Sequence, residues 1–317
     1  MMSKSGRRCV VSGRYSPLRY PGGKGKLAIF MSDLVRENNL YDGTYVEPYA
    51  GGAAVAWELL LTGLVRRVEI NDVSLPVFAF WKTVMDDTET LIKRVHDTPI
   101  TISQWDKCKR IYKSPEDHDL TDLGFAFFFL NRTNRSGILN AGIIGGRNQM
   151  GKWKIDARFN KAELIERISR IAMYRKRITV TQEDAVAFLS ERRKSWNSKT
   201  LLYIDPPYYE KGQSLYLNAY RTDDHHLVSE AVSCLSELNW VVSYDDVRPI
   251  HDLYPKHSWL QYTLNYSARN KVKGREAMFF SPTLTVPELP KQMQEIARQI
   301  SKKRYLRPAT RFKHLYA

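Results

Sequence analysis

Asp205, Pro206, Pro207 and Tyr208 are the residues whose types and order most suggest chemistry. They follow an apolar run at 201–204 that predicts a buried strand, and in an open α/β sheet ligands bind at the carboxyl ends of the strands. The prolines remove two backbone donors and leave carbonyl acceptors beside a carboxylate, while the tyrosine offers a flat face. The group suits the exocyclic amine of a planar base. These four residues alone are equally compatible with an ordinary turn after a strand.

Two glycine-rich segments lie before this motif. Residues 18–26 (LRYPGGKGK) form a basic loop before a helical pattern, so backbone N–H groups and a lysine can approach a carboxylate or a phosphate. The loop lacks the GxxxxGK[ST] spacing of a phosphate-binding loop, and an ordinary loop is the alternative. Residues 44–57 predict a strand ending at Glu47, a turn at Gly51 and Gly52, and an Ala-rich helix. That order is typical of nucleotide-binding units, although the GxGxxG fingerprint is not met.

Acidic residues follow the next predicted strands. A second strand is predicted at 65–70, and Glu69 and Asp72 both lie about twenty residues after the glycine turn, where an acid can bind ribose hydroxyls. The two acids compete for that role, and either could instead cap the following helix. Asp184 follows the third predicted strand and joins this set of acids.

The segment 131–161 is strongly basic, with seven Lys and Arg residues against one acid, and glycines, Asn and Gln are interspersed among them. This composition is expected of a loop or hairpin that reads base edges, because Arg can pair with guanine and Asn or Gln with adenine. A solvated basic loop is the alternative. The candidate DNA-contacting residues are Arg132, Asn134, Arg135, Arg147, Asn148, Gln149 and Lys152.

The composition of the whole chain agrees with a polyanionic partner. The 317 residues include 49 Lys and Arg and 34 Asp and Glu, a net charge of +15, which favours nucleic acid over a membrane. Three widely spaced cysteines indicate a reducing compartment and no disulfide framework. No stretch approaches eighteen consecutive apolar residues, and no signal-peptide pattern opens the chain, so a soluble, cytoplasmic protein is expected. No metal site is predicted, because His225 and His226 diverge on a helix.

Seven strands with intervening helices predict a doubly wound α/β sheet. The later strands are expected at 178–180, 201–204 and 240–244, followed by an antiparallel pair at 258–264 and 276–281. Residues 125–130 predict a core helix. Asn160 and Glu163 have capping-box spacing before another helix, and the basic tail after Pro287 predicts a helix with a flexible end that could contact phosphates.

With these features in place, the chain resembles the Dam-like (alpha-class) DNA adenine-N6 methyltransferases from Pro17 to Ser281. The resemblance rests on RYPGGK at 19–24, EPYAGG at 47–52, EIND at 69–72 and DPPY at 205–208, in the family's order. It implies a seven-stranded Rossmann-like methyltransferase sheet with an inserted target-recognition segment. The expected division is a core at 16–98 and 177–285, an insertion at 99–176 and a basic tail at 286–317.

The resemblance also implies S-adenosyl-L-methionine as cofactor and adenine in double-stranded DNA as substrate. The expected cofactor-binding residues are Tyr20, Lys24, Glu47, Gly51, Glu69, Asp72, Asp184 and Asp205, and the expected catalytic residues are Asp205, Pro206 and Tyr208. The chain departs from the family in having Tyr20 where many members have Trp and Glu69 for the usual Asp. An RNA or protein-amide methyltransferase and a catalytically silent DNA-binding module are the alternatives. The recognition sequence, a restriction endonuclease partner and the oligomeric state stay open.

Overall fold

The computed structural model describes residues 15–19, 27–210, 220–264, 275–290 and 293–299. Its helices are α1 Leu27–Glu37, α2 Ala54–Leu61, α3 Leu75–Asp86, α4 Thr88–Asp97, α5 Ile102–Lys113, α6 Leu120–Thr133, α7 Lys161–Ala172, α8 Ala185–Arg192, α9 Thr222–Ser233 and α10 Arg248–Leu253. Its strands are β1 Thr44–Glu47, β2 Arg67–Asn71, β3 Ile178–Thr181, β4 Thr200–Ile204, β5 Asn239–Asp245, β6 Ser258–Leu264, β7 Arg275–Phe280 and β8 Met293–Gln299.

One mixed sheet joins these strands in the order β3-β2-β1-β4-β5-β7-β6-β8. Strands β1 to β5 are parallel, and β7 lies antiparallel between β5 and β6. All seven predicted strands are present, which confirms the predicted α/β sheet. The direction in which successive strands are added reverses between β1 and β4, and such a switch point is where an open α/β sheet binds its ligand.

The eighth strand shows that the prediction of a helix after Pro287 was wrong. β8 pairs antiparallel with β6, with Met293 opposite Leu264 and Gln299 opposite Trp259. Because β6 and β5 are both antiparallel to β7, β6 runs in the direction of β5, and β8 therefore ends at the amino end of the parallel strands. That end is opposite the one where β4 leads into Asp205. The predicted flexible end of the tail lies outside the described residues.

Strand β4 explains why residues 201–204 are apolar without alternation. Leu201 and Tyr203 pack into a core shared with α1, α2, α3, α6 and α7, whereas Leu202 and Ile204 pack into a second core shared with α8, α9 and α10. Every residue of the strand is buried. A parallel strand covered by helices on both faces reads as a continuous apolar run.

Helix α6 confirms the predicted core helix and sets the position of the basic segment that follows it. Thr83 Oγ1 in α3 donates to the Leu120 carbonyl, and Gly124 packs against the Ala79 backbone, so α6 runs antiparallel to α3. Since α3 starts near the carboxyl end of β2, α6 returns the chain toward that end of the sheet. The segment after residue 133 is therefore presented on the same side as Asp205.

Two further helices flank this segment. Helix α5 was not predicted, because only Cys108 and Ile111 are buried on it and no long apolar stripe marks it. Helix α7 was predicted, and the Asn160 side chain caps it by accepting from the Glu163 N–H at 3.4 Å. Both helices contribute to the main core, so residues 99–176 share the core of the sheet. In the described part of the chain, no helix is long and apolar enough to cross a bilayer.

Candidate active site and nucleic-acid interface

Asp205 lies directly after β4, and its carboxylate is held by a neighbouring strand. Ser243 Oγ in β5 donates to Asp205 Oδ1 at 2.6 Å and also lies 2.8 Å from the Tyr203 hydroxyl. Both Ser243 and Tyr203 are buried, so this chain of hydroxyls is fixed by the sheet. A carboxylate oriented in this way can accept a hydrogen bond from an amine and stabilise positive charge that develops on it. Ser243 was not predicted from the sequence.

The two tyrosines after the prolines are held by two other buried acids. The Tyr208 hydroxyl donates to Glu276 Oε1 at 2.9 Å, while the backbone N–H groups of Tyr209 and Glu210 donate to Asp245 at 2.8 and 2.9 Å. Pro206 is buried and Tyr208 is half-buried. The loop that carries Tyr208 is thus held by hydrogen bonds from both its backbone and the Tyr208 side chain.

The glycine turn after β1 lies beside Asp72. Gly51 has φ 47°, the left-handed conformation that favours glycine, and its N–H donates to Asp72 Oδ2 at 2.8 Å. Asp72 Oδ1 accepts from the Ser74 N–H at 2.9 Å, just before α3, so the carboxylate is held from both sides without capping the helix. Burial raises the pKa of Asp72 to about 6, although these two hydrogen bonds oppose the shift. The carboxylate therefore titrates close to neutral pH.

Of the two acids that competed for the ribose, only Asp72 lies at the end of its strand. Glu69 lies inside β2, opposite Val46, and its carboxylate accepts from Trp196 Nε1 at 3.2 Å and lies 3.8 Å from the Arg192 guanidinium. Those partners belong to the α8 side of the sheet. The geometry therefore favours Asp72 for a ligand at the switch point, and a role for Glu69 stays a prediction.

Glu47 and Asp184 complete the acids at this end of the sheet. Glu47 is buried at the end of β1, where Oε1 accepts from the Tyr45 hydroxyl at 2.9 Å. Asp184 is exposed and caps α8 through the N–H groups of Val186 and Ala187. Burial, then Tyr220 and Tyr244, raise the pKa of Tyr49, and Asp184 makes the smallest contribution to this shift.

An aromatic group that sequence reasoning missed joins the glycine turn to the loop after Asp205. The hydroxyls of Tyr49 and Tyr220 lie 3.1 Å apart, and the rings of Tyr220 and Tyr209 both contact His225. His225 is 1 % exposed, its Nδ1 lies 3.2 Å from the Tyr244 hydroxyl, and its Nε2 has no hydrogen-bond partner among the described residues. Burial lowers the pKa of His225, which favours the neutral imidazole. Apart from the tyrosines themselves, no feature of the sequence marked this group.

Tyr20 and Lys24 lie outside the described residues, so their predicted contacts with the cofactor stay predictions. The segment immediately before them is described, and it reaches the glycine turn. Ser16 Oγ donates to the Gly52 carbonyl at 2.6 Å. The backbone N–H and carbonyl of Arg19 bond to the Asn131 amide at 2.7 and 2.8 Å. Residues 16–19 therefore connect the glycine turn to the end of α6.

Among the predicted DNA-contacting residues, Asn134 and Gln149 have structural roles, and the prediction that their amides read bases is not favoured by the fold. Asn134 is fully buried, accepts from Trp105 Nε1 at 2.7 Å and donates to the carbonyls of Ile138 and Leu139, each at 3.0 Å. The Gln149 side chain donates to the Ile144 carbonyl at 2.9 Å and accepts from the Ile155 N–H at 2.8 Å. Both amides organise the loop from within.

Arg132 is also used internally. Its Nε donates to the Arg158 carbonyl at 2.7 Å, and its Nη1 lies 3.4 Å from the Pro17 carbonyl. Burial, and then the charges of Arg19 and Arg167, lower its pKa. The guanidinium ties the end of the basic segment to residues 16–19, which leaves it poorly placed to contact DNA.

Four predicted residues are exposed: Arg135, Arg147, Asn148 and Lys152. The Arg147 guanidinium makes a bidentate ion pair with Asp106, both bonds 2.8 Å long, and lies over the Trp105 ring. Exposed ion pairs contribute little to stability, so this guanidinium can exchange partners readily. These four are the predicted DNA-contacting residues of the segment whose side chains are exposed to solvent.

The segment is a compact loop with an apolar tip rather than a hairpin. Only Asn134 and Ile143 form a β-bridge within it, and Gly145 and Gly146 adopt left-handed conformations with φ 85° and 74°. The tip exposes Met150 (85 %) and Trp153 (62 %). Neither residue was among the candidates, because an isolated apolar residue in a basic loop carries no clear sequence signal.

Comparisons with known proteins identify the family of this site. Residues 20–268 match the family model described as D12 class N6 adenine-specific DNA methyltransferase. The Type II methyltransferase M.MjaIII of Methanocaldococcus jannaschii is 23 % identical over 223 residues, which covers 65 % of this chain and 73 % of that protein.

Solved methyltransferases also align with the structure. A SAM dependent methyltransferase from Agrobacterium tumefaciens aligns with a TM-score of 0.41 and 9 % identity, covering 81 % of this chain and 62 % of that one. The rRNA methyltransferase aviRa from Streptomyces viridochromogenes aligns with a TM-score of 0.38 and 13 % identity, covering 83 % and 86 %. No cluster of three or more His, Cys, Asp and Glu residues suited to a metal occurs in the described ranges.

Proposed function

The chain belongs to the D12 class N6 adenine-specific DNA methyltransferase family. We propose a role for each of its site residues in the methylation of adenine at a specific site in double-stranded DNA. The reaction uses S-adenosylmethionine and methylates adenine N6 in DNA. The observation that carries the assignment of roles is the position of Asp205. It lies at the carboxyl end of β4, at the switch point of the sheet, with its carboxylate oriented by Ser243.

The residues around the glycine turn fit S-adenosylmethionine. The ligand carries a sulfonium, an ammonium and ribose hydroxyls, all of which carboxylates can bind. Glu47, Asp72 and Asp184 follow or end three neighbouring parallel strands, and the left-handed turn at Gly51 brings backbone close to Asp72. We propose that Asp72 and Gly51 form the floor of the cofactor site, and that Tyr20 and Lys24 of the RYPGGK motif also contact the cofactor.

The cofactor supplies a methyl group that is already activated on a sulfonium. The protein must therefore hold the adenine amine in line with that methyl group and orient its lone pair. Asp205 accepts one N6 hydrogen and stabilises the positive charge that develops on nitrogen, while the Pro206 carbonyl is the second acceptor. Tyr208 provides the face against which the extruded base stacks.

The loop at 134–159 is proposed to contact DNA, and the rest of the predicted insertion at 99–176 supports it. Arg135, Asn148 and Lys152 are exposed on this loop, and the guanidinium of Arg147 makes an exposed ion pair and lies over the Trp105 ring. Cations position a protein on phosphates, and Arg and Asn can also read base edges. If Met150 and Trp153 are buried against the duplex, their exposed apolar surface is removed from water, which favours binding.

Expression in a host without adenine methylation, followed by sequencing that detects N6-methyladenine, tests this proposal. The wild type should methylate a defined motif, and Asp205→Ala should leave the DNA unmethylated while the protein stays folded. Labelled methyl transfer to duplex DNA and to RNA of the same sequence separates the two polymers. Methylation of RNA alone, or a fully active Asp205→Ala variant, would contradict the proposal.

A further inference from the structure

Glu276 connects the proposed stacking residue to the sheet. It lies in β7 and is only 4 % exposed. Its two carboxylate oxygens accept from two phenols, Tyr208 at 2.9 Å and Tyr262 at 2.8 Å. Tyr208 belongs to the loop after β4, whereas Tyr262 is a buried residue of β6. One acid therefore anchors a loop side chain to the rigid part of the fold.

The neighbour of Glu276 across the sheet is also a buried acid that holds the same loop. Asp245 in β5 pairs directly with Glu276 in β7, and it is 2 % exposed. It accepts from the backbone N–H groups of Tyr209 and Glu210. Like charges directly opposite each other destabilise a sheet. Two buried acids at this position indicate that each one has a role other than stabilising the sheet. Both accept hydrogen bonds from the residues directly after Pro207.

We propose that Glu276 is a positioning residue for methyl transfer, which acts by fixing the position of the Tyr208 ring through its hydroxyl. The inference rests on the proposed stacking role of Tyr208. Without the carboxylate the phenol loses a contact that limits movement of the ring about the Cα–Cβ bond, and the base that stacks on it is no longer held with its amine in line with the methyl group. Misplacement of a reacting group by about 1 Å can cost about a hundredfold in rate. Glu276 lies beyond residues 20–268, which match the family model.

The test compares Glu276→Gln, Tyr208→Phe, their double variant and Tyr208→Ala in the full-length enzyme. Transfer of a labelled methyl group from S-adenosylmethionine to plasmid DNA from a host without adenine methylation gives kcat, and titration of the cofactor gives its KM. Tyr262→Phe is the matched control, because it removes the other phenol from the same carboxylate and leaves the Tyr208 contact intact. Thermal unfolding of each variant measures the purely structural effect.

Glu276→Gln and Tyr208→Phe should each lower kcat about tenfold or more with an unchanged KM for the cofactor, the scale expected for a hydrogen bond to a charged acceptor. The double variant should be no slower than the slower single variant, since both changes weaken the same contact: Gln removes the charge of the acceptor, and Phe removes the donor. Tyr262→Phe should stay within about threefold of the wild type, the scale of a modest hydrogen-bond contribution.

Three results would overturn the inference while the role of Tyr208 stands: Glu276→Gln with wild-type kcat beside an inactive Tyr208→Ala, additive losses in the double variant, or a Tyr262→Phe variant as slow as Glu276→Gln. A fully active Tyr208→Ala would instead overturn the proposed role of Tyr208, and the inference with it.

Discussion

Replacing Asp205 with Asn should abolish most of the methyl transfer while preserving the fold. The amide has the shape of the carboxylate and can still accept from Ser243, which lies 2.6 Å away, so the loop geometry should survive. The negative charge is lost. A unit charge at about 4 Å in an effective dielectric of about 20 contributes about 4 kcal/mol, and about half a charge developing on the amine makes this about 2 kcal/mol. Together with the weakened hydrogen bond, kcat should fall about a hundredfold or more.

Labelled methyl transfer to unmethylated duplex DNA measures the loss, and calorimetry with S-adenosylmethionine checks that the variant still binds its cofactor. Ser243→Ala is the graded control, because it keeps the charge of Asp205 and removes one hydrogen bond that orients it. Its kcat should fall about tenfold, in line with one hydrogen bond to a charged group. An Asp205→Asn enzyme within about tenfold of the wild type would refute the electrostatic role of this carboxylate.

The other expected outcomes concern Asp72, Gly124 and the basic loop. Burial raises the pKa of Asp72 to about 6 from 3.8, so the folded protein keeps this proton where the unfolded chain has lost it, and the contribution of Asp72 to stability falls as pH rises from about 4 to about 6. The ionised form dominates only above pH 6, so calorimetry should show cofactor affinity falling below that pH in the wild type and in Glu69→Gln, but not in Asp72→Asn. Gly124→Ala should lower stability by about 1–3 kcal/mol in denaturant titrations, because its Cβ would lie 2.8 Å from the Ala79 carbonyl oxygen. Arg135→Ala should relax the methylated motif in methylome sequencing, at a cost of about 1–3 kcal/mol, whereas Asn134→Ala should mainly lower the unfolding temperature.

The parts of the site that the sequence could predict are those encoded locally. The run before Asp205 and the glycines after Glu47 are adjacent in the chain to the residues that they position, so strand, turn and acid could be read together. Ser243 and Glu276 could not be found in this way, because they meet Asp205 and Tyr208 across 38 and 68 residues. Which residues meet across the sheet depends on strand register, and a single sequence does not specify that register. A polar residue in a mainly apolar strand was the one local signal for either of them.

Composition was also a poor guide to the orientation of individual side chains in the basic loop. Composition does not distinguish an Asn that contacts a base from an Asn that donates to a loop carbonyl. Asn134 is of the second kind. The helix predicted after Pro287 failed for a related reason. β8 is stabilised by its pairing with β6, about thirty residues earlier in the chain, and tertiary pairing overrides local preference in strands.

Residues 16–19 hold the glycine turn and the basic loop on one common support. Ser16 bonds to the carbonyl of Gly52 in the glycine turn, while Arg19 bonds to Asn131 through its backbone and to the Asn134 carbonyl through its guanidinium at 3.0 Å. Gly137, with φ 76°, approaches the Arg19 carbonyl so closely that a Cβ would lie 2.5 Å from its oxygen. A side chain cannot be accommodated there without separating the two segments. The glycine therefore keeps the start of the loop in register with the strand ends, which is what an enzyme needs if it is to contact a duplex and hold one of its bases at Asp205 at the same time.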